Sequence, residues 1–340
     1  MLCRVADEMF WMSRYVERAL AVVRVIDVTI HLELDAGDGA DEYSVWLPLL
    51  GPNFEQSIVA RLAPGEEHTP TAQEVRHYLA LDRSNPGSLV SCIRRAREAT
   101  RSVRESVSSE MWEQINTLYL SLVEASLAQA AEDDSHTFYK RLREGLQFFQ
   151  GLADCTLAHD EPWHFVNLGK YLERADNVAH VLHIQSHLLS RPASPDDIVR
   201  WLAVLRSCGA AEAYSRYYSL RVEPARVLEF LLLNPVFPQS IRYSLRAAWD
   251  SLREIAGPRA ITSENASPAV RAMGLLAARV ENTAVDEVLE EGLEPYLNDV
   301  RQRIVLVSNN VTSQYLRSEP QPGRLGAATR AAMIMAAQQQ

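Results

Sequence analysis

Charged residues that could bind a ligand recur at the same spacing in two distant stretches of the chain. One stretch, YVERALAVVRVID, begins at Tyr15, and the other, YLERADNVAHVLH, begins at Tyr171. An arginine can bind a carboxylate through two parallel hydrogen bonds, and a glutamate can bind an amine. If both stretches face a shared centre, they could grip a zwitterionic ligand. The candidate binding residues in them are Arg14, Glu17, Arg18, Lys170, Glu173 and Arg174.

Two interpretations of these charges are open. Residues three or four apart on a helix are neighbours, so the charges could form ion pairs that each contribute only a few tenths of a kcal/mol. The residue pattern alone favours such structural ion pairs over a ligand site. Ion pairing alone does not explain why Tyr-x-Glu-Arg-Ala has the same residues in both copies.

A third charged stretch lies between the two copies. Arg97 and Arg101 share one face of a predicted helix, with Glu98 beside them. Asn116 shares a face of the next predicted helix with two aromatic residues. The polar atoms of a half-buried asparagine need partners, and the arginines are the obvious donors. We therefore include these four residues among the candidate substrate-binding residues.

A metal site and an enzyme active site receive weaker support. His180, His183 and His187 fall on one helical face, but a stable metal site also needs supporting groups behind its ligands. We favour three partly exposed histidines and predict no cofactor. The sequence contains no G-x-S-x-G motif and no Walker loop. It therefore predicts no ATP site and marks no catalytic nucleophile.

Helical periodicity dominates the elements that must position these residues. From Val5 to about Leu34, apolar residues recur every three or four positions, and similar patterns follow along the chain. Short helices are expected at about 43–50 and 54–62, a capping box at Thr71 and Glu74, and one helix over 268–291. No strand pattern is convincing. We predict an all-α multi-helix bundle with an internal duplication of the Tyr-x-Glu-Arg-Ala helix.

The duplication predicts the domain organisation. One helical domain should cover 1–317, with two related halves at about 1–160 and 161–317. Residues 318–340 are polar and broken by glycine and proline, which predicts a flexible tail.

Composition excludes several classes of protein. The 340 residues are 47% hydrophobic and 23% charged, which is typical of a globular protein. The net charge of −10 argues against nucleic-acid binding, which needs clustered lysine and arginine. The four cysteines are scattered and form no C-x-x-C pair, which is typical of a protein in a reducing compartment. No apolar run approaches the roughly 20 residues of a membrane span. A cytoplasmic protein with no membrane and no nucleic-acid partner is expected.

Longer motifs carry a resemblance over nearly the whole chain. The sequence resembles the alpha-E family, an all-helical bacterial family for which no catalytic residues are firmly assigned. The motifs are MLCRVAD with FWMSRYVERA, ARExxRxxRExxSxEMWEQIN from Ala96, FFQGLADCT from Phe148, NLGKYLERAD from Asn167 and PQSIRYSL from Pro238. The chain departs from the family pattern at Ser13, Ala99, Lys170, His180 and Gln239.

The resemblance implies a function that the residues alone do not. Such proteins are usually encoded beside, or fused to, a circularly permuted ATP-grasp ligase, often with a transglutaminase-like peptidase. We therefore predict a non-ATP-binding accessory or substrate-binding component of an ATP-grasp peptide-ligase system, with an amino-acid or peptide ligand. Two alternatives are a stand-alone amide-processing enzyme and a scaffold for the ligase and peptidase. Whether the chain is itself an enzyme is left open.

Overall fold

Helices make up almost all of the chain that the structure describes, and no strand occurs in that part. The structure is a computed structural model that describes residues 3–36, 71–128, 135–190, 195–218, 221–258 and 266–316. The predicted helices at about 43–50 and 54–62 and the predicted tail at 318–340 lie outside the described residues. The all-α prediction is confirmed.

Thirteen α-helices and two short helical turns follow one another in the described residues. The α-helices are α1 Cys3–Ala36, α2 Ala72–Ala80, α3 Leu89–Ser102, α4 Ser109–Ala128, α5 Ser135–Thr156, α6 Glu161–Gln185, α7 Pro195–Ser207, α8 Ala211–Tyr218, α9 Pro224–Leu233, α10 Ile241–Ala256, α11 Pro268–Glu281, α12 Val285–Glu291 and α13 Leu293–Val311. A 3-10 turn, Ser186–Ser190, follows α6, and a π turn, Thr312–Leu316, follows α13. None of the described helices combines the length and apolarity that crossing a membrane requires.

Local sequence explains where several helices begin and end. Thr71 and Glu74 form the predicted capping box at the start of α2. The prediction of one continuous helix over 268–291 is wrong, because the chain breaks between α11 and α12. At the break, Asn282 Nδ2 donates to the Ala278 carbonyl at 2.7 Å, and Thr283 Oγ1 donates to the Arg279 carbonyl at 2.7 Å. These short polar side chains bond to carbonyls of the last turn, beside the backbone bond from Asn282 N to the Ala278 carbonyl, and the helix ends there.

The two helices that carry the repeated motif lie at the centre of the packing. α1 and α6 pack along each other, α1 also packs against α3 and α5, and α6 also packs against α10 and α13. Both helices are buried around most of their circumference, as Phe10, Val16, Leu168 and Leu172 illustrate. A helix surrounded by protein has no solvent-exposed face for its polar side chains. The charged residues of both motifs are therefore directed into the interior.

A glycine sets how closely α1 and α6 approach. A Cβ atom at Gly169 would lie 2.3 Å from the backbone oxygen of Phe10 and 2.3 Å from Ser13 Oγ. Ser13 Oγ in turn donates to the Phe10 carbonyl at 2.9 Å. Ser13 and Gly169 each lie four residues before the glutamate of a repeated motif. The close approach thus brings the two Glu-Arg pairs opposite each other.

Candidate functional site

The repeated motifs meet through exchanged ion pairs in the core. Arg18 Nε donates to Glu173 Oε1 at 2.6 Å, and Arg174 Nε donates to Glu17 Oε1 at 2.7 Å. Each Glu-Arg pair therefore binds the opposite helix and not its own. Arg14 adds a third pair, with Nε 2.7 Å from Glu173 Oε2. We call these five residues the ER cluster.

The members of the ER cluster are almost fully removed from water. Glu173 is 2% exposed and Arg18, the most exposed member, only 8%. Charges this deeply buried need near-complete pairing, because the desolvation cost is several kcal/mol for each ion. The described atoms supply that pairing except at Arg18 Nη2, which is buried and has no hydrogen-bond partner in the described part of the chain. The cluster is therefore mainly a structural connection between α1 and α6.

Neighbouring elements complete the hydrogen bonding. Gln150 on α5 donates from Nε2 to Glu17 Oε2 at 2.6 Å. Arg174 Nη1 donates to the Pro238 carbonyl before α10 at 3.2 Å, and Arg14 Nη1 donates to Ser308 Oγ on α13 at 3.0 Å. The ER cluster therefore links helices of both predicted halves. The two copies of the motif therefore meet, while the duplication of the two halves stays a prediction.

The tyrosine of the repeated motif contacts its arginine. The Arg18 guanidinium lies 5.8 Å from the centre of the Tyr15 ring, and that of Arg174 lies 5.2 Å from the centre of the Tyr171 ring. Tyrosine and arginine are three residues apart in both copies, so they share a helical face. A guanidinium over an aromatic ring gains electrostatic attraction in a poorly solvated place. This contact accounts for the tyrosine in both motifs.

The arginines paired with the two buried carboxyls determine whether those carboxyls are protonated. Burial by itself would raise the pKa of Glu173, but the guanidiniums of Arg18 and Arg14 outweigh it and lower that pKa to about 2. Burial likewise opposes ionisation of Glu17, and Arg174 brings its pKa below the ordinary value. Both carboxyls are ionised at neutral pH.

These shifts predict how stability depends on pH. A carboxyl whose pKa is lower in the folded state contributes stability above its unfolded pKa and loses it as pH falls through the folded pKa. For Glu173 that window runs from 4.5, its ordinary value, down to about 2. Chemical denaturation from pH 6 to pH 3 should show a steeper loss of unfolding free energy in the wild type than in Glu173→Gln. Equal slopes would contradict the lowered pKa.

A cavity opens beside the ER cluster, and Lys170 lines it. It measures about 330 Å³ with open solvent included. Its walls are formed by residues of α1, α5 and α6, namely Ser13, Val16, Phe149, Gln150, Ala153, Asp154, Trp163, Val166, Asn167 and Lys170. We call it the Lys170 cavity. Gln150 belongs both to this wall and to the hydrogen bonding of Glu17, so the cavity adjoins the cluster.

Lys170 is the cation of this cavity. Its Nζ lies 4.6 Å from the centre of the Tyr171 ring, and no described residue forms a hydrogen bond or ion pair with it. Burial, supported by the nearby charge of Arg174, lowers the pKa of Lys170 to about 8. Asp154, an exposed residue, also lines this cavity and has no ion-pair partner in the described part. Residues of opposite charge thus border one cavity, and although the charge of Asp154 acts on Lys170 they form no ion pair with each other.

The remaining candidate residues lie apart from the ER cluster. Arg97 Nε donates to Asn116 Oδ1 at 2.7 Å, which confirms the predicted contact between an arginine and this asparagine. Glu98 and Arg101 are exposed on α3. Within the described residues, no hydrogen bond or ion pair joins these four to the cluster.

The histidines proposed as weak metal candidates are only partly described. His180 is exposed, and His183 is half-buried with no hydrogen-bond partner for Nδ1 in the described part. The side chain of His187 lies outside the described residues. The described residues give no group of three ligand atoms that includes His180 and His183.

Sequence reasoning missed residues that other segments bring to the cluster and the cavity. Gln150 and Asp154 come from α5, and the Pro238 carbonyl precedes α10. A signal for all three is present, because they lie in the stretches FFQGLADCT and PQSIRYSL. Those stretches contribute to the family resemblance, but their residue types alone indicate no chemistry.

Comparison with known proteins gives one family and distant relatives. The Alpha-E model, described as a predicted alpha-helical domain with a conserved ER motif, matches residues 1–316. Among curated proteins, an uncharacterized protein of Mycobacterium bovis is 25% identical over 310 residues, which cover 87% of this chain and 34% of that protein. An uncharacterized protein of Mycobacterium tuberculosis strain H37Rv is 24% identical with the same coverage. The chain spans about a third of the length of these relatives. No solved structure matches.

Proposed function

The chain belongs to the Alpha-E family, and we propose that it is the substrate-binding component of an ATP-grasp peptide-ligase system. In this role it binds an amino acid or peptide and presents it to a ligase that binds ATP. The ligase association rests on the family resemblance. The binding role rests on the Lys170 cavity.

The single observation that carries the binding role is a pair of unused opposite charges. Lys170 and Asp154 both line one cavity, and neither has an ion-pair partner in the described part of the chain. A zwitterionic ligand would place its carboxylate at Lys170 and its ammonium group toward Asp154. The narrow cavity suits one end of a ligand, so a peptide would extend from it into solvent.

The ER cluster has a positioning role in this proposal. Its arginines and glutamates neutralise one another, and a ligand that bound them directly would first have to break buried ion pairs. The cluster instead fixes α1 against α6 and holds Gln150 at the cavity wall. The ER cluster therefore holds the elements of the binding site in place. Its members are Arg14, Glu17, Arg18, Glu173 and Arg174.

The length of the relatives supports action together with another domain. In the curated relatives, the matched region occupies 34% of a longer chain. A region that is joined to further sequence in its relatives is suited to act together with another domain or protein. The identity of that partner as an ATP-grasp ligase comes only from the resemblance.

The experiment that tests this function mixes the purified chain with the ATP-grasp ligase encoded with it. We expect the two proteins to co-elute and the chain to increase ADP release from ATP in the presence of an amino-acid mixture. Omitting one amino acid at a time then identifies the substrate. If the chain neither binds the ligase nor alters turnover, the proposal is wrong and assays for amide hydrolysis by the chain alone become the next step.

Ligand binding should also depend on pH. In the free protein, Lys170 loses its charge above its pKa of about 8, earlier than an ordinary lysine. The affinity for a carboxylate ligand should fall as pH rises from 7 to 10, by up to about tenfold per unit above 8. Titration calorimetry with the identified substrate and with its carboxamide measures this. The carboxamide should bind weakly throughout, and an equally tight carboxamide would contradict the assignment.

A further inference from the structure

We propose that Asp27, His31 and His136 form a binding site for a divalent transition-metal ion of the Zn²⁺ class. These three side chains, which we call the Asp27 site, join α1 to the first turn of α5. The site is separate from the Lys170 cavity and is not needed for the proposed function. The proposal stands or falls independently of ligase activity.

Two buried atoms without hydrogen bonds face each other in this site. Asp27 is 4% exposed, and its Oδ1 lies 3.1 Å from His136 Nδ1. The two atoms are an ion pair only when His136 is protonated, and neither has a hydrogen bond among the described residues although both are buried. Leaving a buried carboxylate oxygen unsatisfied is costly. A cation bound by both atoms would remove that cost.

His31 supplies the third ligand. It lies one turn after Asp27 on α1, and its Nδ1 is 2.7 Å from the Asp27 carbonyl. When Nδ1 donates to that carbonyl, the lone pair is on Nε2, which is then available to a metal. The His31 and His136 rings are 4.5 Å apart between centres and perpendicular. Both imidazoles therefore border the same small space.

The spacing of the three ligand atoms is close to what a metal requires. One atom from each residue can be chosen so that all three lie within 4.8 Å of one another. Bond lengths of about 2.0–2.2 Å in a tetrahedral zinc site put ligand atoms about 3.4 Å apart. His31 is exposed, so a small change in its side-chain torsions, with Nδ1 still near the Asp27 carbonyl, would close the remaining distance. Only a side-chain adjustment is needed.

The kind of ligand determines the kind of ion. Two imidazoles and one carboxylate suit zinc and similar d-block ions, whereas Mg²⁺ and Ca²⁺ prefer oxygen ligands throughout. Three protein ligands leave a fourth position open to water or a ligand. The second oxygen of Asp27, Oδ2, accepts a hydrogen bond from Arg143 Nη1. That contact orients the carboxylate so that Oδ1 faces the histidines.

Co²⁺ provides a direct test, because four-coordinate Co²⁺ has visible absorption bands that zinc lacks. Chain without a histidine tag is titrated with Co²⁺ and then with Zn²⁺. We expect one equivalent of Co²⁺ to bind with tetrahedral bands and Zn²⁺ to displace it. His31→Gln and His136→Gln should each weaken Co²⁺ binding more than about tenfold. His77→Gln is the matched control, since His77 is exposed on α2.

Two results would overturn the metal site. The first is the absence of saturable Co²⁺ binding, which would leave His136 and Asp27 as an ordinary ion pair. The second is one bound equivalent that both variants retain, which would place the ion elsewhere. Thermal unfolding without metal shows whether each variant is folded. Because His31 is exposed, His31→Gln should unfold at the wild-type temperature and keeps the test valid if His136→Gln does not fold.

Discussion

Replacing Glu173 by glutamine should lower the free energy of unfolding by about 3–5 kcal/mol. The substitution keeps the size of the side chain and removes only its charge. Arg14 and Arg18 would then be buried, at 3% and 8% exposure, without the carboxylate that both contact. Urea denaturation of the wild type and the variant measures the difference. A single buried carboxylate thus accounts for a large part of the stability of a typical domain.

Glu281→Gln is the matched control for this prediction. Glu281 is 46% exposed at its side chain and lies 3.3 Å from Arg246, so the same chemical change should cost less than about 1 kcal/mol. Glu17→Gln should resemble Glu173→Gln, because Glu17 is paired with Arg174 in the same way. If Glu173→Gln and Glu281→Gln cost the same, the ER cluster does not hold α1 and α6 together.

Gly169→Ala is the second substitution for which we expect a large effect, about 3 kcal/mol of destabilisation, the upper end of the usual range for overpacking. The added methyl group would lie 2.3 Å from the Phe10 backbone oxygen. A backbone atom at the centre of two packed helices cannot move aside alone, so α1 and α6 must separate. Separation would also lengthen the ion pairs of the ER cluster. Thermal and urea denaturation together measure this loss.

Gly151→Ala should change the free energy of unfolding in the opposite direction. Gly151 lies within α5, and a Cβ atom there would meet nothing within 4 Å. Alanine favours the helix over glycine by about 1 kcal/mol, so this variant should be slightly more stable than the wild type. A Gly169→Ala variant of normal stability would contradict the described approach of α1 to α6, and a destabilised Gly151→Ala would contradict the open space at Gly151.

The repeated sequence predicted the centre of the fold well. Because Tyr-x-Glu-Arg-Ala occurs twice with matching apolar spacing, the sequence alone predicts two equivalent helices that face one another. The exchange of partners between Glu17 and Arg174 could not be derived, because it depends on how closely α1 and α6 approach. That approach is set by Gly169, because a methyl group there would clash with α1. The absence of a side chain at one position does not appear in the periodicity of the sequence.

The binding features were harder to predict than the fold. Lys170 was a candidate from its position in the repeat, but its partner in the cavity, Asp154, comes from another helix. The Asp27 site likewise joins α1 to His136 at the start of α5. His180, His183 and His187, which the sequence places on one face of a predicted helix, gave a stronger sequence signal than this site. Periodicity reports neighbours within a helix, whereas these groups assemble between helices.

The most direct test of the binding role compares two lysine variants in the ligase assay. We predict that Lys170→Gln reduces the stimulation of ADP release at least tenfold, whereas Lys140→Gln, at an exposed position on α5, leaves it unchanged. Burial disfavours the charged form of Lys170, so its replacement should leave the chain folded at pH 7, which its unfolding temperature verifies. Full stimulation by a folded Lys170→Gln variant would show that the Lys170 cavity does not bind the substrate.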